Sequence, residues 1–225
     1  MSDNKPKMTQ QKLLQMVKNS DTDIEFADVS KITNMNNLFW QSDFGGSWTA
    51  DISGWDTSSV KDMNSMFSNC ANLEEVSLYH TEKVKDMNGM FHGCKKLKKV
   101  VLSDTKNAES MWGMFHGCTN LEDISLSDTS NVEDMSNMFR DCTNLKVVSL
   151  PQTKSVKSMY SMFHGCKNLR KVSLPNIEQV TNMGLMFCGC SSLEKVPFNP
   201  NKINKSANTT GMFNGCTKLI SQFSK

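Results

Sequence analysis

Several kinds of chemistry are missing from this 225-residue sequence. No apolar run approaches the roughly 18 residues that a membrane-spanning helix requires. The first residues, Met-Ser-Asp-Asn-Lys-Pro-Lys-Met, hold no apolar signal core, and no lipoprotein-type cysteine lies near them. Read as written, the chain is expected to stay in the cytoplasm. Its 25 basic and 23 acidic residues leave a net charge of +2, so nothing calls for nucleic acid or an anionic membrane as partner. There is no CxxC pair and no Cys/His spacing of a zinc site. A nucleophile elbow, a phosphate-binding glycine loop, HExxH and paired-carboxylate motifs are also missing. The expectation is therefore no catalytic residue, no cofactor and no metal.

What the sequence has is a repeat. Met-Phe-x-x-Cys recurs with phenylalanines at 67, 91, 115, 139, 163 and 187, each 24 residues after the last. Phe213 follows after 26 residues, and a degenerate Leu38-Phe39 precedes the series. A fixed period of this length marks a solenoid, in which each turn buries its apolar face only against its neighbours. Seven of the eight cysteines occupy one repeat position, and Cys188 is extra. An odd-numbered ladder at an apolar position reads as small buried hydrophobes rather than as disulfides. Free thiols also point toward a reducing compartment.

Within a unit, Met63, Met66, Phe67 and Cys70 fall at i, i+3, i+4 and i+7, the spacing of one helical face. Asp62 and its equivalents Asp86, Ser110, Asp134, Ser158, Asn182 and Asn208 are residues that cap a helix start. Asn69, Gly93, Gly117, Asp141, Gly165, Gly189 and Gly215 are types that tolerate the left-handed conformation at a helix end. A short helix of about two turns is thus expected in every repeat. Leu73, Val76 and Leu78 then begin a series of Leu-x-x-Val-x-Leu segments whose alternation marks a short strand. Thr81, Thr105, Thr129 and Thr153 follow the strand, where their hydroxyls can bond the backbone of an adjacent turn. The expected fold class is α/β, with one short strand and one short helix per turn and a parallel sheet on one side.

Residues 51–67, DISGWDTSSVKDMNSMF, and each later V-x-x-M-x-x-M-F-x-x-C-x-x-L resemble the repeat signature of BspA-like leucine-rich repeat proteins. The resemblance covers roughly residues 30–220 and implies a leucine-rich-repeat solenoid. It also implies a bacterial or protozoan surface protein concerned with adhesion and protein binding, in a cell-surface or secreted setting. The sequence departs from the family pattern in lacking an export signal and a wall anchor. The alternative reading is an intracellular protein-binding scaffold or inhibitor.

Residues 1–29 are expected to form an N-terminal cap, a short helix followed by a first strand from Ile24, Phe26 and Val29. Residues 30–225 form the array, closed by Leu219, Ile220 and Phe223. Between Gln41 and Trp55 the period breaks; a local bulge whose tryptophans seal the core is the favoured reading. On the strand face the columns run Glu75, Lys99, Asp123, Val147, Lys171, Lys195, and further ones include Ser127 and Pro151. Only Tyr79 there is a residue type favoured at interface hot spots. The other side is more suggestive. Stacking gathers Trp112, His116, Arg140, Tyr160 and His164 into one patch with His92 at its edge, beside a column of small residues (Gly89, Gly113, Asn137, Ser161). Trp, Tyr and Arg are the composition of a partner-binding patch. The expectation is a monomer that binds a protein partner or cell-surface ligand there.

Overall fold

The computed structural model describes residues 8–220 except 123, 127 and 151. The expectations for Asp123, Ser127, Pro151 and Phe223 fall outside the described residues. The chain winds as a solenoid. Its strands are β1 (Glu75–Leu78), β2 (Lys99–Leu102), β3 (Ser125–Leu126), β4 (Val147–Ser149) and β5 (Lys171–Ser173). All pair in parallel, as β1-β2-β3 and β4-β5, with partners 24 residues apart such as Glu75 beside Lys99 and Val147 beside Lys171. Along β1 and β2 the second and fourth residues are buried and the other two face outward, the alternation of a half-buried strand.

The expected helix in each repeat is absent. Among the described residues the α-helices are α1 (Gln10–Lys18) and α2 (Thr217–Ile220), one near each end. Met63, Met66, Phe67 and Cys70 and their equivalents are buried as the spacing required, but tight turns bury them. Met66 N–H bonds Met63 C=O at 3.2 Å, Ser68 bonds Ser65 at 3.0 Å, and Cys70 bonds Phe67 at 3.0 Å. The intervening donors reach across to the next turn of the solenoid: Met63 N–H to Asp86 C=O, Ser65 to Asn88, Phe67 to Met90 and Asn69 to His92, at 2.6–3.0 Å. Ser65 and Asn69 have φ of 54° and 61°, and every later repeat has positive φ at both positions. A bonded turn with positive φ at its third residue is type II. Two such residues four apart break an α-helix. The periodicity misled because a pair of type II turns places the same four residues inward as two helical turns would.

The residues expected to cap helices do the corresponding job for the turns. Asp62 accepts a bond from Asn64 N–H at 2.8 Å, and Asp86 and Asp134 do the same two residues on, an Asx-turn arrangement. The backbones at these positions form a second parallel ladder of single bridges running from Asn34 to Asn208.

Three side-chain columns tie successive turns together. Eight phenylalanine rings, from Phe39 to Phe213, stack with centroids 5.0–5.6 Å apart and planes within 9°. Such aromatic pairs contribute about 0.5–1.5 kcal/mol each beyond the area they bury. Beside them the cysteine ladder has a polar role. Each of its seven thiols donates to the carbonyl of the phenylalanine one turn back, at 2.9–3.1 Å. Ser42 occupies the same column in the first turn, 3.7 Å from Cys70 Sγ. All eight cysteines are free. Burial pushes the Cys70 and Cys216 thiols up to about 11 and raises the others in the ladder well above the ordinary thiol value. The third column is threonine. Thr57, Thr105, Thr129 and Thr153 donate to Tyr79, Asp128, Gln152 and Asn176 carbonyls at 2.6–2.7 Å, and Thr81 donates to Ser103.

The ends are sealed by departures from the repeat. In α1, Thr9 caps the start and Leu13 and Val17 are buried. The first strand expected from Ile24 to Val29 is instead a 3₁₀ helix, Thr22–Phe26. Ile24 and Val29 enter the core while Phe26 stays 79% exposed, so residues two apart do not share a face as they would in an alternating strand. In the irregular stretch after Gln41, Trp48 and Trp55 are buried against Phe39, with ring centroids 5.9 and 6.1 Å from it. Gly45 lets this bulge lie on the next turn: a Cβ there would sit 2.5 Å from Leu73 Cα. At the other end Phe198 packs on Phe187 and Phe213, and Leu219 of α2 is buried.

Two outcomes follow. Thiol labelling at pH 8 is expected to modify one cysteine per native chain and all eight after denaturation, because only Cys188 is partly exposed and thiolate is the reactive form. Cys188→Ser should remove the native signal; fast labelling of several thiols would contradict the packing. Thr129→Val leaves the Gln152 carbonyl without its buried donor, so urea denaturation should show a loss of about 1–3 kcal/mol.

Candidate functional site

The residues outside the core columns are the second residues of the two type II turns, positions equivalent to 64 and 68. One column runs Asn64, Asn88, Trp112, Ser136, Tyr160, Gly184; the other runs Ser68, His92, His116, Arg140, His164, Cys188. Their partners decide which stand out. Asn88 Oδ1 accepts from Ser110 Oγ at 2.6 Å and from Trp112 N–H at 2.8 Å, which fixes the backbone beneath the tryptophan. Among the described residues the Trp112 side chain has no such anchor, and it is 42% exposed. Two turns on, Tyr160 lies over Gly184, where an added Cβ would be 3.3 Å from the tyrosine ring. Ser136 lies between the two aromatics, buried and bonded to Ser158 at 2.7 Å.

In the neighbouring column the His92 and His116 rings are 4.6 Å apart. Asp141 draws the next pair together: its Oδ2 is 3.6 Å from both His116 Nε2 and Arg140 Nε. Burial lowers the pKa of both imidazoles; His92 lowers that of His116 further, and Asp141 opposes the fall. At neutral pH Arg140 is therefore the cation of this group. His164, half-buried one turn further on, has its Nδ1 buried without a partner among the described residues, as is Ser161 Oγ.

The structure thus brings His116 and Arg140 into one polar group around Asp141, with Trp112 and Tyr160 in the adjoining column and His164 in the next turn. Tyr79 is elsewhere, on the strand side, 42% exposed. The small column beside the aromatics has another cause than access. Gly89, Gly113, Asn137 and Ser161 all have φ between 53° and 58°, so the backbone restricts these positions. Two residues were missed. Trp40 is 51% exposed and follows Phe39 as Ser68 follows Phe67, so the degenerate first repeat signalled its column. From the sequence Asp141 reads only as a left-handed residue ending a helix; its φ of 59° bears out the conformation, at a turn in place of the helix. Among the described residues no cluster of three or more His, Cys, Asp or Glu is placed to hold a metal ion, and no helix is long and apolar enough to cross a membrane.

The sequence matches the family described as Mycoplasma protein of unknown function, DUF285, over residues 8–122, 71–173 and 109–225. No curated protein matches it in sequence. Among solved structures, the leucine-rich repeat protein TpLRR of T. pallidum is 28% identical over 72% of this chain and 72% of that one, with a TM-score of 0.54. It supports a leucine-rich repeat solenoid with parallel strands. A leucine-rich repeat protein from Bacteroides ovatus is 19% identical over 76% of this chain and 62% of that one, TM-score 0.33. The pneumococcal vaccine antigen PcpA is 20% identical over 82% and 57%, TM-score 0.44. These last two overlay too loosely to carry an argument.

The histidines give the site a pH signature. Because burial favours the neutral imidazoles, the unfolded chain binds protons more readily, and their contribution to stability is lost as pH falls below the ordinary histidine value of 6.5. NMR titration should find His116 below that value. Asp141→Asn should lower it further by removing the nearby negative charge; a rise would show that the contact is absent.

Proposed function

The chain belongs to that family of unknown function, and on this footing we propose that it is a non-catalytic leucine-rich-repeat module that binds a protein partner through the outer face of its turns. The exposed Trp112, with Tyr160 two turns on in its column and His116 and Arg140 in the adjoining one, carries the proposal. Most turn residues here repeat because the backbone or the core requires it; Trp112, Arg140 and Tyr160 each occur once in their columns. A large aromatic held at the surface beside an arginine is the composition of an interface anchor. Recognition at a cell surface is the setting that the BspA-like resemblance implies. A second setting, an intracellular scaffold or inhibitor, draws support from eight free thiols, which persist most readily in a reducing compartment.

Affinity capture with the wild type beside Trp112→Ala and Tyr160→Ala tests the proposal. Each variant should lose the captured partner, with affinity falling by about 2 kcal/mol or more, while the urea midpoint stays unchanged. Retention of every partner by both variants rules out the outer face. Cell fractionation separates the two settings, since an exclusively cytosolic native protein excludes surface recognition.

A further inference from the structure

The small net charge conceals a separation of charge along the solenoid. Residues 1–141 hold 14 basic and 21 acidic side chains, whereas residues 142–225 hold 11 basic and only 2 acidic. Both of those acids are already engaged, Glu178 with Lys202 at 2.9 Å and Glu194 with Lys218 at 3.0 Å. Two more lysines of this half, Lys146 and Lys157, reach back to Glu122 and Glu133. Lys154, Lys167, Arg170, Lys171, Lys195 and Lys205 make no ion pair with any described residue.

Three of these unpaired cations converge. On the strand side, β5 and the turn after it enclose an open groove of about 300 Å³, bordered by Arg170, Lys171 and Lys195. Its apolar lining comes from Val172, Val196 and Pro197, all partly exposed. Glu194 also borders it, with its carboxylate turned to Lys218. In the preceding strand, β4, Val147, the register neighbour of Lys171, is 54% exposed. Cations around an uncovered apolar strip suit a ligand that carries carboxylates and apolar side chains together.

We propose that this groove binds an acidic, partly apolar peptide segment of a protein partner. A carboxylate of the segment sits among Arg170, Lys171 and Lys195, and an apolar side chain covers Val172, Val196 and Pro197. Charge complementarity selects the sign of the ligand, and the rest of the molecule limits its length. A long polyanion or a flat anionic membrane lying along the solenoid also meets the half that holds 21 of the 23 acidic residues; a short segment confined to the last turns does not. The groove has no aromatic side chain in its lining, so unpaired nucleic-acid bases find no stacking platform. This surface lies apart from the outer-face patch and does not depend on it.

The test is fluorescence anisotropy with the full chain and three labelled probes: a peptide of Glu, Leu and Ser, the same peptide with Lys for Glu, and a single-stranded oligonucleotide. The Glu peptide should bind, weaken as salt is raised, and lose at least about tenfold in affinity in the double variant Lys171→Glu, Lys195→Glu, where like charges now face it. Arg170→Glu, made separately, should act in the same direction, and circular dichroism of each variant should match the wild type. Trp112→Ala should bind the Glu peptide normally, which keeps this result independent of the outer-face proposal. Absence of Glu-peptide binding, undiminished binding by the variants, or equally tight binding of the Lys peptide or the oligonucleotide would overturn the assignment. Self-association of the chain at low salt that is abolished by Lys171→Glu, Lys195→Glu would overturn it too, by placing the acidic half of a second copy in the groove.

Discussion

On the turn side of the solenoid, alternate backbone donors in the repeats from Met63 to Gly165 cross to a carbonyl 23 residues further along the chain. A helix would satisfy the same groups within the segment and leave each turn free to slide on its neighbour. Here the bonds that complete one turn are the bonds that hold the next, so the turn side specifies register as firmly as the strands do. The remaining features are consequences of that choice. Crossing donors need a backbone that alternates inward and outward bonds. This demands two left-handed residues per repeat, and those positions collect Gly, Asn, Asp and Ser, with Leu185 an exception.

Fixed register turns each repeat position into a column, and columns explain the residues that recur. Phe is stacked because it meets itself at about 5.4 Å, close to the spacing at which two rings pack with offset faces. Cys is small enough for the interior beside that stack and still offers a hydrogen to the Phe carbonyl behind it. Thr performs the matching service on the strand side. Repeated polar residues are therefore accounted for by the backbone groups they satisfy, and repetition itself argues for a structural role. Surface ion pairs such as Lys98–Glu74 and Lys157–Glu133 follow the same 24-residue offset. Exposed as they are, each contributes little to stability.

The burial of the Met, Phe and Cys columns, the parallel strands, the threonine bonds and the sealing role of Trp48 and Trp55 were all legible in the sequence. The helices were not. Met63, Met66, Phe67 and Cys70 face inward in a helix and in a pair of type II turns alike, and hydrophobic spacing records only which way side chains point. The 3₁₀ segment at Thr22–Phe26 was missed for another reason: Phe26, apolar and expected inward, is exposed. Of the outer-face residues, Trp112, His116, Arg140, Tyr160 and His164 could be aligned from the 24-residue offset alone. That Asp141 links His116 to Arg140 could not, because the carboxylate belongs to a column defined by backbone conformation.

The sequence alone determined that the chain is a repeat array, which residues form its interior, and which columns face outward, because a constant period converts position in the chain into position in space. The tertiary structure decided what that period could not encode. It showed where each backbone donor goes, and hence turns in place of helices. It also showed, among the described residues, which charges are spent on one another. Both are settled by contacts between turns: a residue's neighbours 24 positions away determine whether its polar groups are already satisfied.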